Sequence, residues 1–527
     1  MEELTPIQLN MLRRAAVGDI LRRTARRHPD RVAVRFKNVT LTFKDLNEKA
    51  NRFANAVSRL GVGKGDRVAI ISHNCHQYAY CWFGLTKIGA IITPLNFMLR
   101  GSEIGYIINH SEPKMFFVED SLIETVKNVP EKMESVQYFG CIKLGEGTKP
   151  EGWLDFDELV EEGSSVEPEV EIHENEPASL LYTSGTEAAP KGVLNTHLNY
   201  YSTILSSQTD CDFRPDDVFL LSIPLYHVAG LHILLAAVNV GAKTVIQYLP
   251  EVEEILQLIE KEKVTQLVYP ATLFVKLIQH PDVEKYDLSS VKKCLTFGSL
   301  MPSAIYERYK KLMPQAVWRN YYGQTELSPL GTTLQPEDFE RKPTSIGKPH
   351  LTVEIRIVDD EDKDVPPGQM GEIVARSPSV MLGYFKDEER TKKAFRGGWL
   401  HTGDYGYMDE EGYLYFVDRK KDIIKSGGEN VSSQEVEEVI FKHPKVAEAA
   451  VVGVPHPYWM EAVTAVIVPK KDVQVTSEEI IQYCKEKLAG YKVPKYVVFV
   501  DELPKNPSGK ILKRVLREKF KDLAEKT

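Results

Sequence analysis

The stretch Leu180-Leu181-Tyr182-Thr183-Ser184-Gly185-Thr186-Glu187-Ala188-Ala189-Pro190-Lys191-Gly192 runs an apolar strand into a loop of small hydroxyl residues that ends on a lysine. Phosphate binding calls for these residue types. Glycine lets backbone N–H groups converge on an anion, Ser and Thr supply neutral donors, and Lys supplies a charge. A polar turn joining two elements uses the same residues, so the loop alone leaves two readings open. It is not a Walker loop: no Gly immediately precedes Lys191, and Gly192 rather than Ser or Thr follows it.

On either side of this loop, short apolar strands alternate with amphipathic helices. Arg31–Phe36, Arg67–Ser72 and Ala90–Pro94 read as strands, and Phe43–Leu60, stopped by Gly61, and Tyr78–Ile88 as helices. The pattern resumes at Thr244–Gln247, Gln266–Tyr269 and Lys293–Phe297. Such alternation predicts sheets covered by helices. The acidic stretch Gly145–Pro177 reads mainly as a surface excursion with one aromatic cluster, Trp153–Phe156. Val353–Val358, Gly371–Ala375 and Gly412–Val417 predict a mainly β subdomain over 353–417. Beyond it, Ser432 with Glu435 and Thr476 with Glu479 are capping-box patterns that open helices ending near His443 and Gly490. Strands at Ala447–Val454, Val463–Val468 and Tyr496–Val500 complete a compact α+β unit.

The chain has 527 residues, 43% of them hydrophobic, which predicts a large core and about three domains. Its net charge of -9 lacks the basic field that nucleic-acid binding needs, so that class is set aside. Six scattered cysteines, with no CxxC pair, fit a reducing compartment. His73, Cys75, His76 and Cys81 match no zinc spacing and read instead as a turn into a buried helix. The arginines at 13, 14, 22, 23, 26 and 27 accompany early acids, and so predict an amphipathic surface helix rather than a transit peptide. The most apolar stretch, Leu231–Ala242, is too short to span a bilayer. A soluble, cytoplasmic protein without a transmembrane segment is expected. A homodimer and a peripheral membrane contact are both compatible with this composition.

The loop resembles the phosphate loop of the acyl-adenylate-forming superfamily, whose usual pattern is Ser/Thr-Ser-Gly-Thr-Thr-Gly-x-Pro-Lys-Gly. That superfamily includes acyl-CoA synthetases, aryl-CoA ligases, luciferases and amino-acid adenylation domains. Four further segments appear in the family's order. Pro224-Leu225-Tyr226-His227-Val228-Ala229-Gly230-Leu231 is similar to the stretch lining the acyl pocket, and Asn320-Tyr321-Tyr322-Gly323-Gln324-Thr325-Glu326 to the adenine and metal segment. Trp399-Leu400-His401-Thr402-Gly403-Asp404 is similar to the ribose segment, and Asn506-Pro507-Ser508-Gly509-Lys510 to the C-terminal catalytic loop. The resemblance runs from the phosphate loop almost to the C-terminus. The fold it implies is α/β: a large N-terminal domain over 1–419, built of layered α/β subdomains plus the β subdomain. A small mobile α+β C-terminal domain follows over 420–527, with the hinge near Lys421.

The resemblance implies that ATP, Mg²⁺ and coenzyme A act with a small-molecule carboxylic acid. Thr183, Ser184, Gly185, Thr186 and Lys191 then hold the triphosphate. Tyr322 offers its face to adenine, while Asn320, Gly323 and the backbone at Gly298 and Ser299 meet the base. Thr325 donates to a phosphate, and Glu326, with Thr186, serves Mg²⁺. Asp404 and Arg419 take the ribose hydroxyls. Lys510 bridges the attacking carboxylate and the α-phosphate, where two anions must meet. Lys425, Gly427 and Gly428 line the pantetheine tunnel or approach the phosphates. Judged by residue type alone, Tyr322 also suits a core, Glu326 a helix N-terminus and Lys510 an exposed basic tail.

His227 stands where amino-acid adenylation domains carry an Asp for the substrate ammonium, and an imidazole cannot replace that charge. It can gate the acyl pocket, contact the carboxylate or simply pack. Val228, Ala229, Gly230, Phe274 and Leu300 predict an apolar lining. The expected activity is therefore acyl-CoA synthesis, with a fatty acid as substrate. An aryl-acid CoA ligase, an acyl-AMP former serving a carrier protein, and a non-catalytic binder are the alternatives. The loop departs from the family pattern at Glu187 and Ala188. Glu187 near a tetra-anionic ligand costs about 1 kcal/mol in water and up to about 4 kcal/mol at an effective dielectric of 20, unless it points to solvent or pairs with Lys191. Glu187→Thr is expected to change the Michaelis constant for ATP and to leave turnover at saturating ATP and Mg²⁺ intact. A large loss of that turnover would assign Glu187 to the metal or the chemistry.

Overall fold

In the computed structural model, residues 4–183, 190–427, 429–471, 473–505 and 511–526 are described. The chain divides into two units, Met1–Ile355 with Ala375–Leu400, and Arg356–Val374 with His401–Thr527. The expected hinge residue Lys421 lies inside the second unit.

The first unit carries two large sheets. In one, the parallel strands Val317–Tyr322, Lys293–Phe297, Gln266–Pro270, Val218–Leu221, Lys243–Ile246 and Val32–Phe36 follow one another in space, with antiparallel strands at both edges. The other runs Gly383–Tyr384, Lys191–Thr196, Pro177–Thr183, Ile91–Leu95, Arg67–Ile71, Met115–Glu119, Tyr138–Ile142 and Leu154–Asp155. The central strands are buried along nearly their whole length, Arg67 at the start of one excepted, as parallel pairing with covered faces requires. Helix Phe43–Arg59 shows how the pattern becomes structure. Thr42 and Asp45 close a capping box at its start, and Phe43, Leu46, Ala50, Phe53, Ala54 and Val57 are buried at helical spacing.

Two sequence expectations change. The N-terminal surface helix is in fact two helices, Pro6–Arg13 and Val17–Arg27, and the second buries Val17, Ile20, Leu21 and Ala25. Arg14 between them is buried, 2.8 Å from Asp19. Burial opposes the Asp19 charge, but the hydrogen bond from Arg14, with Arg22 and Arg23 nearby, holds its pKa below the ordinary carboxylate value. The second change is at Gly145–Pro177, which is more than an excursion. It contains an edge strand and the helix Phe156–Glu162, capped by Asp155. Phe156 is fully buried, its ring centroid 5.1 Å from that of Phe53 and 5.0 Å from that of Phe117.

The second unit contains the sheet Glu354–Val358, Gly371–Arg376, Leu400–Met408 and Leu414–Arg419, and the chain passes between the units within its first three strands. A second sheet is centred on the hairpin Val446–His456 and Met460–Pro469. Alternate residues of this hairpin face two separate cores. Val451, Val463 and Ala465 pack with Val436, Ile440 and Ile480, while Val452, Val454 and Val466 pack with Leu503 and Leu516. Ser432 and Thr476 cap their helices as the sequence indicates, but the second helix stops at Lys485 rather than near Gly490.

Phe156→Ala is expected to lower the unfolding free energy by about 3–5 kcal/mol, the usual cost of emptying a buried aromatic site. Urea denaturation measures it, and a loss below about 1 kcal/mol would mean that the 145–177 segment does not dock as described.

Candidate active site

Strand Pro177–Thr183 pairs antiparallel with strand Lys191–Thr196, with Tyr182 opposite Gly192 and Thr183 opposite Lys191. Ser184, Gly185, Thr186, Glu187 and Ala188 lie outside the described residues, so the loop is known by its two feet. Both feet are held from helix Gly101–Ser111. Tyr182 Oη lies 2.7 Å from His110 Nδ1, and Tyr106 Oη donates to the Pro190 carbonyl at 3.3 Å. Lys191 Nζ sits 5.2 Å from the centre of the Tyr384 ring.

The adenine and metal segment begins at the C-terminal end of the parallel strand Val317–Tyr322. Its neighbour, Lys293–Phe297, ends at the same level, with Phe297 opposite Tyr321. Gly298 and Ser299, both exposed, therefore emerge beside half-buried Tyr322 and Gly323. Ligands of open α/β sheets bind in the crevice at these strand ends. Gly298 has a φ of 78° and open space where a Cβ would be. At Gly323, by contrast, a Cβ would fall 1.6 Å from the Pro329 carbonyl oxygen, so only glycine lets the chain turn here. Asn320 is buried and donates to the Ser345 carbonyl at 3.4 Å.

A short turn, Thr325–Leu327, follows. Asn195 donates to the Thr325 carbonyl at 3.0 Å, Leu327 is fully buried, and the Met381 N–H donates to the Glu326 carbonyl at 2.9 Å. Tyr384 Oη donates to Glu326 Oε1 at 2.9 Å. The sequence offered no sign of Tyr384 or Asn195, because neither lies in a motif that touches ligand chemistry. Asn74 is a third such residue. It donates to the Ile223 carbonyl at 3.0 Å and accepts from the Leu225 N–H at 2.8 Å, clamping the loop that leads from strand Val218–Leu221 to His227.

His227 caps helix Val228–Val240, its Nδ1 accepting from the Ala229 N–H at 3.2 Å. It is accessible to solvent yet ringed by protein, and burial holds its pKa below the ordinary imidazole value. Val228, Ala229 and Gly230 are buried behind it, and a Cβ on Gly230 would meet the Pro224 carbonyl oxygen at 2.3 Å. Phe274 is fully buried among Tyr269, Tyr309 and Trp318, and Leu300 is half-buried. A cavity of about 600 Å³ opens beside Pro224 and Tyr226, with Phe97, Met98, Leu249 and Val252 in its wall and Lys276 and His280 among its polar residues. His73, part of the cluster read as a turn, is engaged behind it, its Nδ1 2.9 Å from Glu119 Oε2. Burial would raise the Glu119 pKa, but hydrogen bonds from His73, Ser121 and Tyr248 bring it to about 2.

In the second unit, Asp404 and Arg419 face each other across paired strands, with Nε 2.9 Å from Oδ1. Asp404 is buried and Arg419 half-exposed, so the carboxylate is held at a fixed place while the guanidinium reaches outward. Next along the strand, Asp418 accepts from Ser433 Oγ at 2.6 Å and from the Gln434 N–H at 3.2 Å. Lys421 and Lys425 are exposed, and the Lys425 N–H donates to Glu461 Oε2 at 2.7 Å. Gly427, with a φ of 62°, donates to the Trp459 carbonyl at 2.9 Å. Gly428 and Lys510 lie outside the described residues; a bridge between Lys505 and Ile511 brackets the segment that carries Lys510.

Residues 21–385 match the family described as AMP-binding enzyme, and residues 435–510 match the AMP-binding enzyme C-terminal domain. The chain belongs to the AMP-binding enzyme family. Among its relatives, a long-chain-fatty-acid–CoA ligase of Escherichia coli is 33% identical over 97% of this chain and 96% of its own length. A feruloyl-CoA synthase of Amycolatopsis sp is 33% identical over 97% of this chain and 100% of its own. The solved structure of o-succinylbenzoate coenzyme A synthetase from Bacillus subtilis, in complex with ATP and magnesium ion, superposes with a TM-score of 0.83 at 32% identity. It covers 94% of this chain and 98% of that one. This member of the family is an ATP-dependent, AMP-forming acid–CoA ligase of the acyl-CoA synthetase branch, using Mg²⁺ and coenzyme A.

The chain's own residues fit that ion in one respect. Glu326 presents a half-buried carboxylate with one oxygen already oriented, a hard ligand of the kind Mg²⁺ takes. Among the described residues no group of three or more His, Cys, Asp or Glu could hold a metal. Mg²⁺ suits this arrangement, because it is commonly bound through one or two carboxylates with substrate phosphates and water.

Gly323→Ala is expected to weaken ATP binding about tenfold or more, ~1.4 kcal/mol, because the Pro329 carbonyl must give way. Calorimetric titration with ATP measures this, and an unchanged Kd would remove the Tyr322–Gly323 turn from the nucleotide site.

Proposed function

We propose that this ligase activates a fatty acid and that His227 heads the site where the acid binds. The observation that carries this reading is the imidazole, its pKa held below the ordinary value, at the start of a helix buried and apolar along most of its length, Val228–Val240. Such a wall offers no countercharge to an amino-acid ammonium, but it accepts an alkyl chain. Relatives named for fatty and for aromatic acids are equally similar to this chain, so the acid's class rests on the site rather than on the likeness.

The reaction has two halves. The carboxylate oxygen attacks the α-phosphorus and pyrophosphate leaves; the coenzyme A sulfur then attacks the acyl carbonyl, the bond to AMP breaks, and the thiol proton goes to solvent. In this reading Tyr322 supports adenine, and Asp404 accepts from the ribose hydroxyls with Arg419 beside it. Lys191, at the foot of the loop, lies against the phosphates with Thr183, Ser184, Gly185 and Thr186. Mg²⁺ supplies charge neutralisation at the phosphate oxygens, and Glu326 holds it in place. Lys510 draws the two anions of the first half-reaction together. A turn of the C-terminal domain about Lys421 then exchanges Lys510 for Lys425, Gly427 and Gly428 in the second. All six cysteines are free and buried, which supports a reducing, cytoplasmic setting.

Lys510→Ala is expected to abolish acyl-AMP formation, read as pyrophosphate release, and to spare thioester formation from supplied acyl-AMP. Equal loss of both would refute the role. A panel of acids graded by chain length, with an aromatic series beside it, tests the substrate class; faster turnover of the aromatic series would overturn the fatty-acid reading.

A further inference from the structure

Glu326 is held from one direction at two levels. The short strand Gly383–Tyr384 pairs antiparallel with Val193 and Leu194, immediately beyond Lys191. This pairing brings Met381 to the Glu326 backbone and Tyr384 to its side chain. The Tyr384 phenol donates to Oε1 at 2.9 Å, and the same ring carries Lys191 Nζ on its face at 5.2 Å from the centroid. The guanidinium carbon of Arg390 is 6.0 Å from that centroid. Tyr384 thus touches the carboxylate with its hydroxyl and the loop lysine with its ring.

We propose that Tyr384 is a positioning residue of the metal site, fixing Glu326 as a one-oxygen ligand and tying it to Lys191. This rests on the reading of Glu326 as the Mg²⁺ carboxylate. A glutamate side chain has three rotatable bonds, and without a partner its head would have to be ordered each time metal and nucleotide arrive. The phenol O–H removes that freedom beforehand and occupies one lone pair of Oε1, leaving Oε2 the freer oxygen to meet the ion. Cations over the ring face polarise the phenol and strengthen its donation to a carboxylate. Removing such an outer partner of a metal ligand typically costs 10–100-fold in metal affinity.

The test compares Tyr384→Phe, which keeps the ring and loses only the hydroxyl, with wild type and with Glu326→Gln. Calorimetry without acid gives the Kd for Mg²⁺–ATP and, in EDTA, for ATP alone, and a thermal melt checks that each variant is folded. Tyr384→Phe is expected to weaken Mg²⁺–ATP binding about tenfold and to leave metal-free ATP binding unchanged. Wild-type binding of Mg²⁺–ATP by Tyr384→Phe, with Glu326→Gln weakened, would overturn the inference and leave Glu326 in its role. Equal weakening with and without metal would overturn it as well, since the hydroxyl would then serve the loop. If Glu326→Gln itself bound Mg²⁺–ATP like wild type, the reading of Glu326 would fall, and the inference with it.

Discussion

The pairing of strand Lys191–Thr196 with its two neighbours is the constraint on which the first unit's site depends. On one side it meets Pro177–Thr183 and sets Lys191 opposite Thr183, fixing the width of the loop mouth. On the other it meets Gly383–Tyr384 and carries Tyr384 to Glu326. From within the strand, Asn195 reaches the Thr325 carbonyl, and Thr196 caps the following helix. A shift of one residue would turn every side chain of the strand to the opposite face. One register thus sets Lys191, Thr183 and the Glu326 carboxylate together.

The second unit fixes its polar residues by different means. Asp404 and Arg419 are cross-strand partners, so the sheet sets their separation. Asp418 is tied to Ser433 at the first turn of helix Ser433–Phe441, where a carboxylate also favours the helix dipole. Asp422, just past Lys421, pairs with Arg517 of helix Lys513–Phe520. The Lys421 region and the helix that follows Lys510 are therefore joined within this unit.

Many strands were legible because a buried parallel strand is largely a run of apolar residues, as in Arg67–Ile71 and Ile91–Leu95. Helix starts at Thr42, Ser432 and Thr476 were legible where a cap pattern stood in sequence. The docked helix Phe156–Glu162 was obscured because its acidic surface outweighed one buried ring. Strand Leu400–Met408 was obscured because Gly403 and Asp404 are poor strand formers, and its cross-strand partners make it extended. Tyr384, Asn195 and Asn74 were not legible at all, since their roles lie in hydrogen bonds to residues 58, 130 and 149 positions away.

By itself the sequence determined the layered α/β class, the order of the nucleotide and acyl segments, and the family. These follow from local patterns: hydrophobic period, cap residues, and the few residue types that suit phosphate, ribose and metal. Only the tertiary structure decided that the His227 pKa is lowered, that Gly323 tolerates no side chain, and that Glu326 is oriented by a tyrosine. Each of these depends on what surrounds a residue: burial that disfavours charge, a carbonyl where a Cβ would be, and a phenol brought in by strand pairing. Such neighbours come from distant parts of the chain, and a linear pattern carries no record of them.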